Sequence, residues 1–275
     1  MTNLAIIIVS YNTCELLDAC LRSLNQPSPT VPTNIVVVDN GSTDGSVETI
    51  RRHWPHVKVI DIGRNIGYAA ANNLGIRETN GELILLLNSD TLASGLAIDT
   101  LVRELRSRPN VGAIGPRLVN RYGQPELSFG NMIGPFNELI QKVKRIALTH
   151  NVPVISGRIR ASLIQPGYHD WVSGACLLFR RRDAEAAGGL DERFFLYGED
   201  VDFCAALRRV GKRVFFTPNV EVLHHIGQSG LHVSEQTELA YRRSQLAFYS
   251  KHHPAWAPLL KFYLKARGKL PTQSS

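Results

Sequence analysis

The chain has 275 residues, 44% hydrophobic and 20% charged, enough apolar material for a sizeable core, which excludes global disorder. Its net charge of +7 is unevenly placed: residues 239–275 carry seven Lys and Arg and no acid, leaving 24 basic against 24 acidic residues in the rest. No stretch reaches the ~20 apolar residues that span a bilayer, the start lacks a basic leader, and the four cysteines form no CxxC pair, so secretion, membrane crossing and structural zinc are not expected.

Residues 4–9 form a continuous apolar run, as a strand buried on both faces requires. Leu16, Leu17, Cys20, Leu21 and Leu24 then recur at helical spacing. A second buried strand is predicted over 35–39, followed by a turn at 40–46 whose capping residues lead into a helix. A third strand over 57–62, an Ala/Asn-rich helix over 68–79 closed near Asn80-Gly81, and a fourth strand over 83–87 continue the alternation. This βαβαβαβ order predicts an α/β fold with a Rossmann-like, doubly wound, mostly parallel sheet and ligands at the carboxyl ends of its strands. Scattered Gly and Pro between 117 and 169 leave one amphipathic helix, near 136–148. A strand over 171–179, a helix over 201–210 closed by Gly211, short strands over 214–216 and 220–223, and a helical end from about 234 complete the reading. The predicted organisation is one domain over 1–233, divided near 116, with a short helical C-terminal appendage over 234–275.

Polar groups recur at the four strand ends. Ser10, Tyr11 and Asn12 follow the first, Asp39 ends the second, Asn65 follows the third, and Asn88, Ser89 and Asp90 follow the fourth. Each turn alone has a capping explanation; together they form one cleft lip, where a carboxylate such as Asp39 can accept hydrogen bonds from a ribose or base edge. Neither GxGxxG nor GxxxxGK[ST] occurs, so no glycine loop cradles phosphate. A bound diphosphate would need another neutraliser, and Mg²⁺ or Mn²⁺ held by Asp90 would suffice. Asn88 and Asp90 face one side of an extended segment, although Asp90 equally suits a cap for a helix starting near Leu92. A second acidic cluster, Glu199, Asp200 and Asp202, opens a helix, where acids are stabilised in any case; the functional alternative is a general base. His224 and His225 follow a short strand, as a metal ligand or as ordinary polar loop residues.

Taken together, the blocks IIIVSYN, VVVDNGSTDGS, RNIGYAAANNLGI, LLLNSDT, WVSGACLLFRR, GGLDERFFLYGEDVDFCAALRRVGKRVFF and VEVLHHIGQSG resemble family 2 inverting glycosyltransferases with the GT-A fold, particularly the bacterial rhamnosyltransferase-like branch. They run from Leu4 to about Gly230. The resemblance implies a nucleotide-sugar donor in the first half and an acceptor in the second. It assigns Ser10, Tyr11 and Asp39 to the donor nucleoside, with Asn12, Asn65, Asn72, Asn88 and Ser89 also on the donor side. Asp90 matches the metal-binding end of the family's DxD motif, whose first acid is replaced here by Asn88, and His224 matches a position that completes metal binding. Asp200 matches the catalytic base, with Glu199 beside it, and Trp171, Gly174 and Tyr197 would line the acceptor side. The implied reaction is a single inverting displacement dependent on Mg²⁺ or Mn²⁺. It would move rhamnose from dTDP-rhamnose, or a sugar from a UDP-sugar, to a glycan or lipid-linked acceptor in cell-envelope polysaccharide synthesis.

Other readings are a non-catalytic nucleotide-sugar or glycan binder on the same fold, and a nucleotide-cofactor enzyme, which the missing glycine fingerprint opposes. The basic segment lacks a base-reading motif, so no nucleic acid is expected. It interleaves Trp256, Leu259, Leu260, Phe262, Tyr263 and Leu264 with Lys261, Lys265, Arg267 and Lys269. That pattern suits a cytoplasmic enzyme lying peripherally on an anionic membrane surface, or a helix packed on the domain with its lysines solvated.

Overall fold

The computed structural model describes residues 3–150, 152–225 and 235–271. The first half contains β1 (Leu4–Ser10), α1 (Cys14–Leu24), β2 (Thr33–Asp39), α2 (Ser46–His53), β3 (Lys58–Asp61), α3 (Tyr68–Arg77), β4 (Leu83–Asn88), β5 (Thr91–Leu92), α4 (Gly95–Arg106) and β6 (Val111–Val119). There follow β7 (Phe129–Gly130), α5 (Pro135–Thr149), α6 (Ile155–Ser162), β8 (Gly167–His169), β9 (Trp171–Val172), β10 (Cys176–Arg180) and α7 (Arg181–Ala187). The chain ends through α8 (Glu199–Arg209), β11 (Arg213–His224), α9 (Glu235–His252) and α10 (Ala257–Ala266).

The main sheet runs β3-β2-β1-β4-β10-β6-β11-β5, with β8 also against β11. Strands β3, β2, β1 and β4 are mutually parallel, as their order predicts. β10 runs antiparallel to both of its neighbours, β4 and β6, and β11 is parallel to β6. Burial on both faces explains the unbroken apolar text of β1. Leu4, Ile6 and Ile8 enter one core, against Leu17 and Leu21 of α1 and Leu101 of α4. Ala5, Ile7 and Val9 enter the other, with Ala71 of α3 and Phe203 of α8. β10 does the same, and its Phe179 meets Phe203 edge to face at 4.8 Å between ring centroids.

Three expectations change. The strand predicted over 171–179 is two strands: β9 pairs with β7 in a separate two-stranded sheet, and Ser173, Gly174 and Ala175 carry the chain over to β10. The two short strands at 214–216 and 220–223 are one strand, β11, whose register shifts between Thr217 and Glu221, beside Pro218 and Asn219. β6 is an additional strand, hidden in the sequence because Gly112, Gly115 and Pro116 interrupt its apolar run.

The boundary expected at 233/234 lies outside the described residues. α9 packs on the body: Phe248 and Tyr249 join Phe194 and Val201 in a third apolar cluster, and Ser244 donates to the Leu196 carbonyl. Asp202, almost fully buried, accepts from Lys251 Nζ at 2.7 Å and lies 2.6 Å from His252 Nε2. Among the described residues no helix is long and apolar enough to cross a membrane. Removing a buried carboxylate leaves its partners uncompensated. Asp202→Ala is therefore expected to lower unfolding stability by about 2–4 kcal/mol, measured by urea denaturation.

Candidate active site

The carboxyl ends of β1, β2 and β4 and the loop after β3 converge on one lip. Asn12, with φ 53°, accepts from the Thr43 N–H at 2.8 Å, and its own N–H donates to Ser42 Oγ, so it straps the 41–44 loop in place. Gly41 has φ +87°, and a Cβ there would stand 2.7 Å from Arg64 Cα, so only glycine lets the two loops touch. Asp39 is 1% exposed. Its Oδ1 accepts from the Gly41 and Ser42 N–H groups, whereas Oδ2 has no protein partner. Asn65 is exposed and accepts from Asn40 Nδ2 and the Gly67 N–H. Asn72 is buried beneath α3; its amide donates to the Tyr68 carbonyl and its Oδ1 is unpartnered. Tyr11 is half exposed at the lip. Ser10 is fully buried, and its hydroxyl lies 2.9 Å from Thr13 Oγ1, which donates to Ser89 Oγ. Ser10 and Ser89 thus brace the β1 and β4 loops internally, through a threonine that sequence reasoning did not single out.

The floor is acidic. Asp90 is buried with Oδ1 3.4 Å from His224 Nε2, and the N–H of His225 donates to its carbonyl. Pairing of β11 with β5, His224 opposite Thr91, fixes this approach. His224 Nδ1 lies 3.1 Å from Oε2 of Glu126, whose Oε1 is unpartnered. Burial pulls the imidazole down, but hydrogen bonds and charge from Asp90 and Glu126 win, raising it to about 9. Glu126 was missed because its Gly/Pro-flanked loop has no periodicity. Residues 226–230 of the VEVLHHIGQSG block lie outside the described residues.

Glu199 and Asp200 open α8 behind Gly198, which has φ +86°. Asp200 accepts from the Gly174 N–H and the Val201 N–H, each at 2.8 Å. Glu199 is buried with Oε2 unpartnered; burial, then the Asp200 charge, raise its carboxyl to about 8. Burial likewise raises Asp200. The Tyr68 hydroxyl donates to Asn88 Oδ1 at 2.7 Å and is pushed up by burial and by the charges of Glu199, Asp200 and Asp90. The charges of all three acids are thus felt at one phenol, although two of them lie more than 100 residues from the third. Tyr197, with φ 66°, is raised by burial and by Glu199 and Asp90. The Tyr68 N–H donates to the Phe195 carbonyl, stitching the loop before α3 to the loop before α8.

Gly174, expected as acceptor lining, instead anchors Asp200: a Cβ there would stand 3.1 Å from Asp200 Cβ. Trp171 donates its indole N–H to the Asn131 carbonyl and packs against the cluster containing Val201, next to Asp200. Asp202 points away, toward Lys251 and His252.

Residues 5–165, more than half of the chain, match the family model described as glycosyl transferase family 2. The chain belongs to that family. It is 29% identical to the N-acetylglucosaminyl-diphospho-decaprenol L-rhamnosyltransferase of Mycobacterium tuberculosis, over 99% of this chain and 94% of that one. It is 28% identical to the low-salt glycan biosynthesis hexosyltransferase Agl10 of Haloferax volcanii, over 90% of this chain and 76% of that one. The fold is shared with the mannosyltransferase PcManGT of Pyrobaculum calidifontis, solved with GDP-Man and Mn²⁺: TM-score 0.61, 20% identity, 94% of this chain and 67% of that one. It is also shared with GalNAc-T7, solved with UDP, GalNAc and Mn²⁺: TM-score 0.63, 16% identity, 90% and 50%. The α/β architecture of this glycosyltransferase is thus GT-A.

The elevated Glu199 has a measurable consequence in the transferase. Folded Glu199 keeps its proton up to about pH 8, whereas the unfolded side chain releases it near 4.5. The folded state binds the extra proton across that window, so stability falls as pH rises through it. Glu199→Gln removes the penalty. The variant is expected to be more stable than the parent at pH 8, by on the order of 1 kcal/mol or more, with the difference vanishing below pH 4.5, as read from urea midpoints.

Proposed function

We propose that this family 2 glycosyltransferase moves a sugar, with rhamnose from dTDP-rhamnose the first candidate, to a hydroxyl of a lipid-linked glycan in cell-envelope polysaccharide synthesis, inverting the anomeric centre. The observation that carries the reading is the backbone link between the two acidic segments: the Asn88 N–H, two residues before Asp90, donates to the Ala175 carbonyl, and the adjoining Gly174 N–H donates to Asp200 at 2.8 Å. The near-full-length match to a rhamnosyltransferase named for a decaprenol-diphosphate-linked sugar supports both the donor and the lipid-linked acceptor. Such an acceptor would bring the enzyme to the cytoplasmic face of a membrane as a peripheral protein.

The free Oδ2 of Asp39 suits an N–H donor on a pyrimidine base or a ribose hydroxyl. Asn12 and Asn65 hold the loops that shape that pocket, while Ser10, Asn72 and Ser89 support it from behind. Asp200 is the base: its carboxylate takes the proton from the acceptor hydroxyl as that oxygen bonds to the anomeric carbon. The bond from that carbon to the diphosphate oxygen breaks, and the nucleoside diphosphate leaves with the electron pair. The Gly174 N–H fixes the aim of Asp200. Glu199, protonated at neutral pH, adds no second negative charge there. Trp171 and Tyr197 border the acceptor side.

The residues at the floor fit a divalent cation. Asp90 would offer a carboxylate oxygen, and His224, on releasing its Nε2 proton to solvent, an imidazole nitrogen, a donor pair suited to Mn²⁺ or Mg²⁺ with positions left for phosphate oxygens. Glu126 holds the other ring nitrogen and so orients the imidazole. When bound, the cation would neutralise the departing diphosphate. Asn88 is engaged by Tyr68, which leaves Asp90 as the metal-side carboxylate of the Asn88-Ser89-Asp90 segment.

Asp200→Asn keeps the shape and removes the base, so transfer is expected to fall about 10²-fold or more. Calorimetric binding of nucleoside diphosphate should be unchanged, and near-normal turnover would shift the role to Glu199. Separately, EDTA is expected to abolish nucleoside diphosphate release from a nucleotide-sugar panel, and Mn²⁺ or Mg²⁺ to restore it. Full activity in chelator would reject the cation.

A further inference from the structure

Helix α5 is built the wrong way round for a helix in water. Its polar residues face the protein: Asn137 donates to the Met132 carbonyl, Glu138 is held by Gln245, and Gln141 Oε1 is buried. Over the first two turns its apolar residues face out, while Ala147 and Leu148 near its end join the core. Phe136 is 72% exposed and Leu139 60%, and Ile140 and Val143 continue the same stripe at helical spacing. At its N-terminal end the stripe runs into α10. Phe136 meets Trp256 at 6.3 Å, and the neighbouring Ile133 carbonyl lies 2.7 Å from His253 Nε2. α10 then buries Leu264 and turns Leu259 and Phe262 outward, Phe262 at 71% exposure. Two helices far apart in sequence thus bring their exposed apolar side chains together at the Phe136–Trp256 contact.

Charge identifies what covers it. Residues 127–169, which carry α5 and α6, hold five Lys and Arg and a single acid, Glu138, which faces inward. Residues 239–275 hold seven and none. The remaining chain has 19 basic and 23 acidic residues, so all the excess positive charge lies in the two segments that form the apolar surface. Lys142, Lys261 and Lys265 are exposed beside the stripe. A second copy docked through this face would set like charge against like charge. A layer with apolar depth and negative headgroups matches both properties at once.

We propose that α5 and α10 together form a membrane-docking face that lies in the interface of an anionic bilayer, with Phe136, Leu139, Leu259 and Phe262 among the acyl chains and Lys142, Lys261 and Lys265 on lipid phosphates. This rests on the lipid-linked acceptor reading only for its purpose. The face adjoins the acceptor side, since Met132, Ile133, Trp171 and Ala257 share one cluster with Val201, next to Asp200. Docking through it brings a lipid-borne hydroxyl to the site without a membrane-spanning segment.

The test is co-sedimentation of the full chain with vesicles of phosphatidylcholine alone and of phosphatidylcholine mixed with phosphatidylglycerol, at low and high salt. The intact protein is expected to bind the anionic vesicles at low salt and to be released by salt. Lys261→Gln with Lys265→Gln should weaken binding about tenfold or more, because each basic residue near such a surface contributes on the order of 1 kcal/mol. Phe136→Ser with Phe262→Ser should weaken it by at least as much; both side chains are exposed, so folding is not at stake. Nucleoside diphosphate release in detergent solution, assayed in parallel, should match the parent in every variant. Loss of release in the parent with vesicle binding intact would sink the transfer reading and leave the docking face standing. Indifference of the active parent to anionic vesicles overturns the docking face alone. So does a dimer in solution that Phe136→Ser with Phe262→Ser dissociates.

Discussion

The backbone N–H of Gly174 reaches Asp200 over 2.8 Å, and this contact exists because β10 runs against its two neighbours. An antiparallel strand enters the sheet at the end where the parallel strands finish. The residues that lead into β10 therefore lie at the carboxyl ends of β1 and β4, where ligands bind in such sheets. Three successive residues use that position. Ser173 donates to the Ser128 carbonyl beside the small β7–β9 sheet, Gly174 donates to Asp200, and Ala175 accepts from the Asn88 N–H. One tripeptide ties the segment ending at Asp90, the acid at the head of α8 and the small β7–β9 sheet into a single frame. A side chain at position 174 would push Asp200 off its aim, which explains a glycine where no turn demands one.

The acids at the head of α8 illustrate how a fold keeps reactive groups in unfavourable surroundings. Burial works against the charge of both Glu199 and Asp200, and the Asp200 charge further raises Glu199. The first turn of α8 and two backbone N–H groups offset part of this for Asp200. Glu199 receives no such donor at Oε2 and remains protonated at neutral pH. Adjacent carboxyls in one helical turn thus differ in the donors they receive, two backbone N–H groups for Asp200 and none at Glu199 Oε2. At the floor, His224 sits between Asp90 and Glu126, one ring nitrogen against each.

Legibility in the sequence followed the physics of burial. β1, β2 and β4 could be read because strands covered on both faces leave unbroken apolar text, and the strand-end residues followed from them. β6 could not, since Gly112, Gly115 and Pro116 disguise a strand whose neighbours supply the packing. The 171–179 stretch reads as one strand because nothing in WVSGACLLF shows that Ser173 and Gly174 leave the sheet. Asp90, Asp200 and His224 were singled out from motif text, and the structure brings Asp90 and His224 within 3.4 Å. Glu126, Thr13 and Tyr68 were not, because their contacts span 76 residues or more for Thr13–Ser89 and His224–Glu126, and 20 across a strand and loop for Tyr68–Asn88. Ser10 and Gly174, singled out in the sequence for ligand contact, also carry structural contacts, Ser10 with Thr13 and Gly174 with Asp200.

The same logic of burial applies to α5 in reverse. Its periodicity predicts a helix near 136–148, and the helix is there, but periodicity is silent about which face turns inward. Ordinary helices of a soluble domain bury the apolar stripe, and α1 and α4 do so. α5 instead buries Glu138 and Gln141, which take partners or lie enclosed on α9 and near β7, and leaves its apolar stripe outside. That arrangement costs free energy in water, because the outward side chains gain nothing from folding. It is recovered only when something apolar covers them. Rolling the helix over to hide the stripe would break the Asn137 bond to the Met132 carbonyl and the Gln245 bond to Glu138.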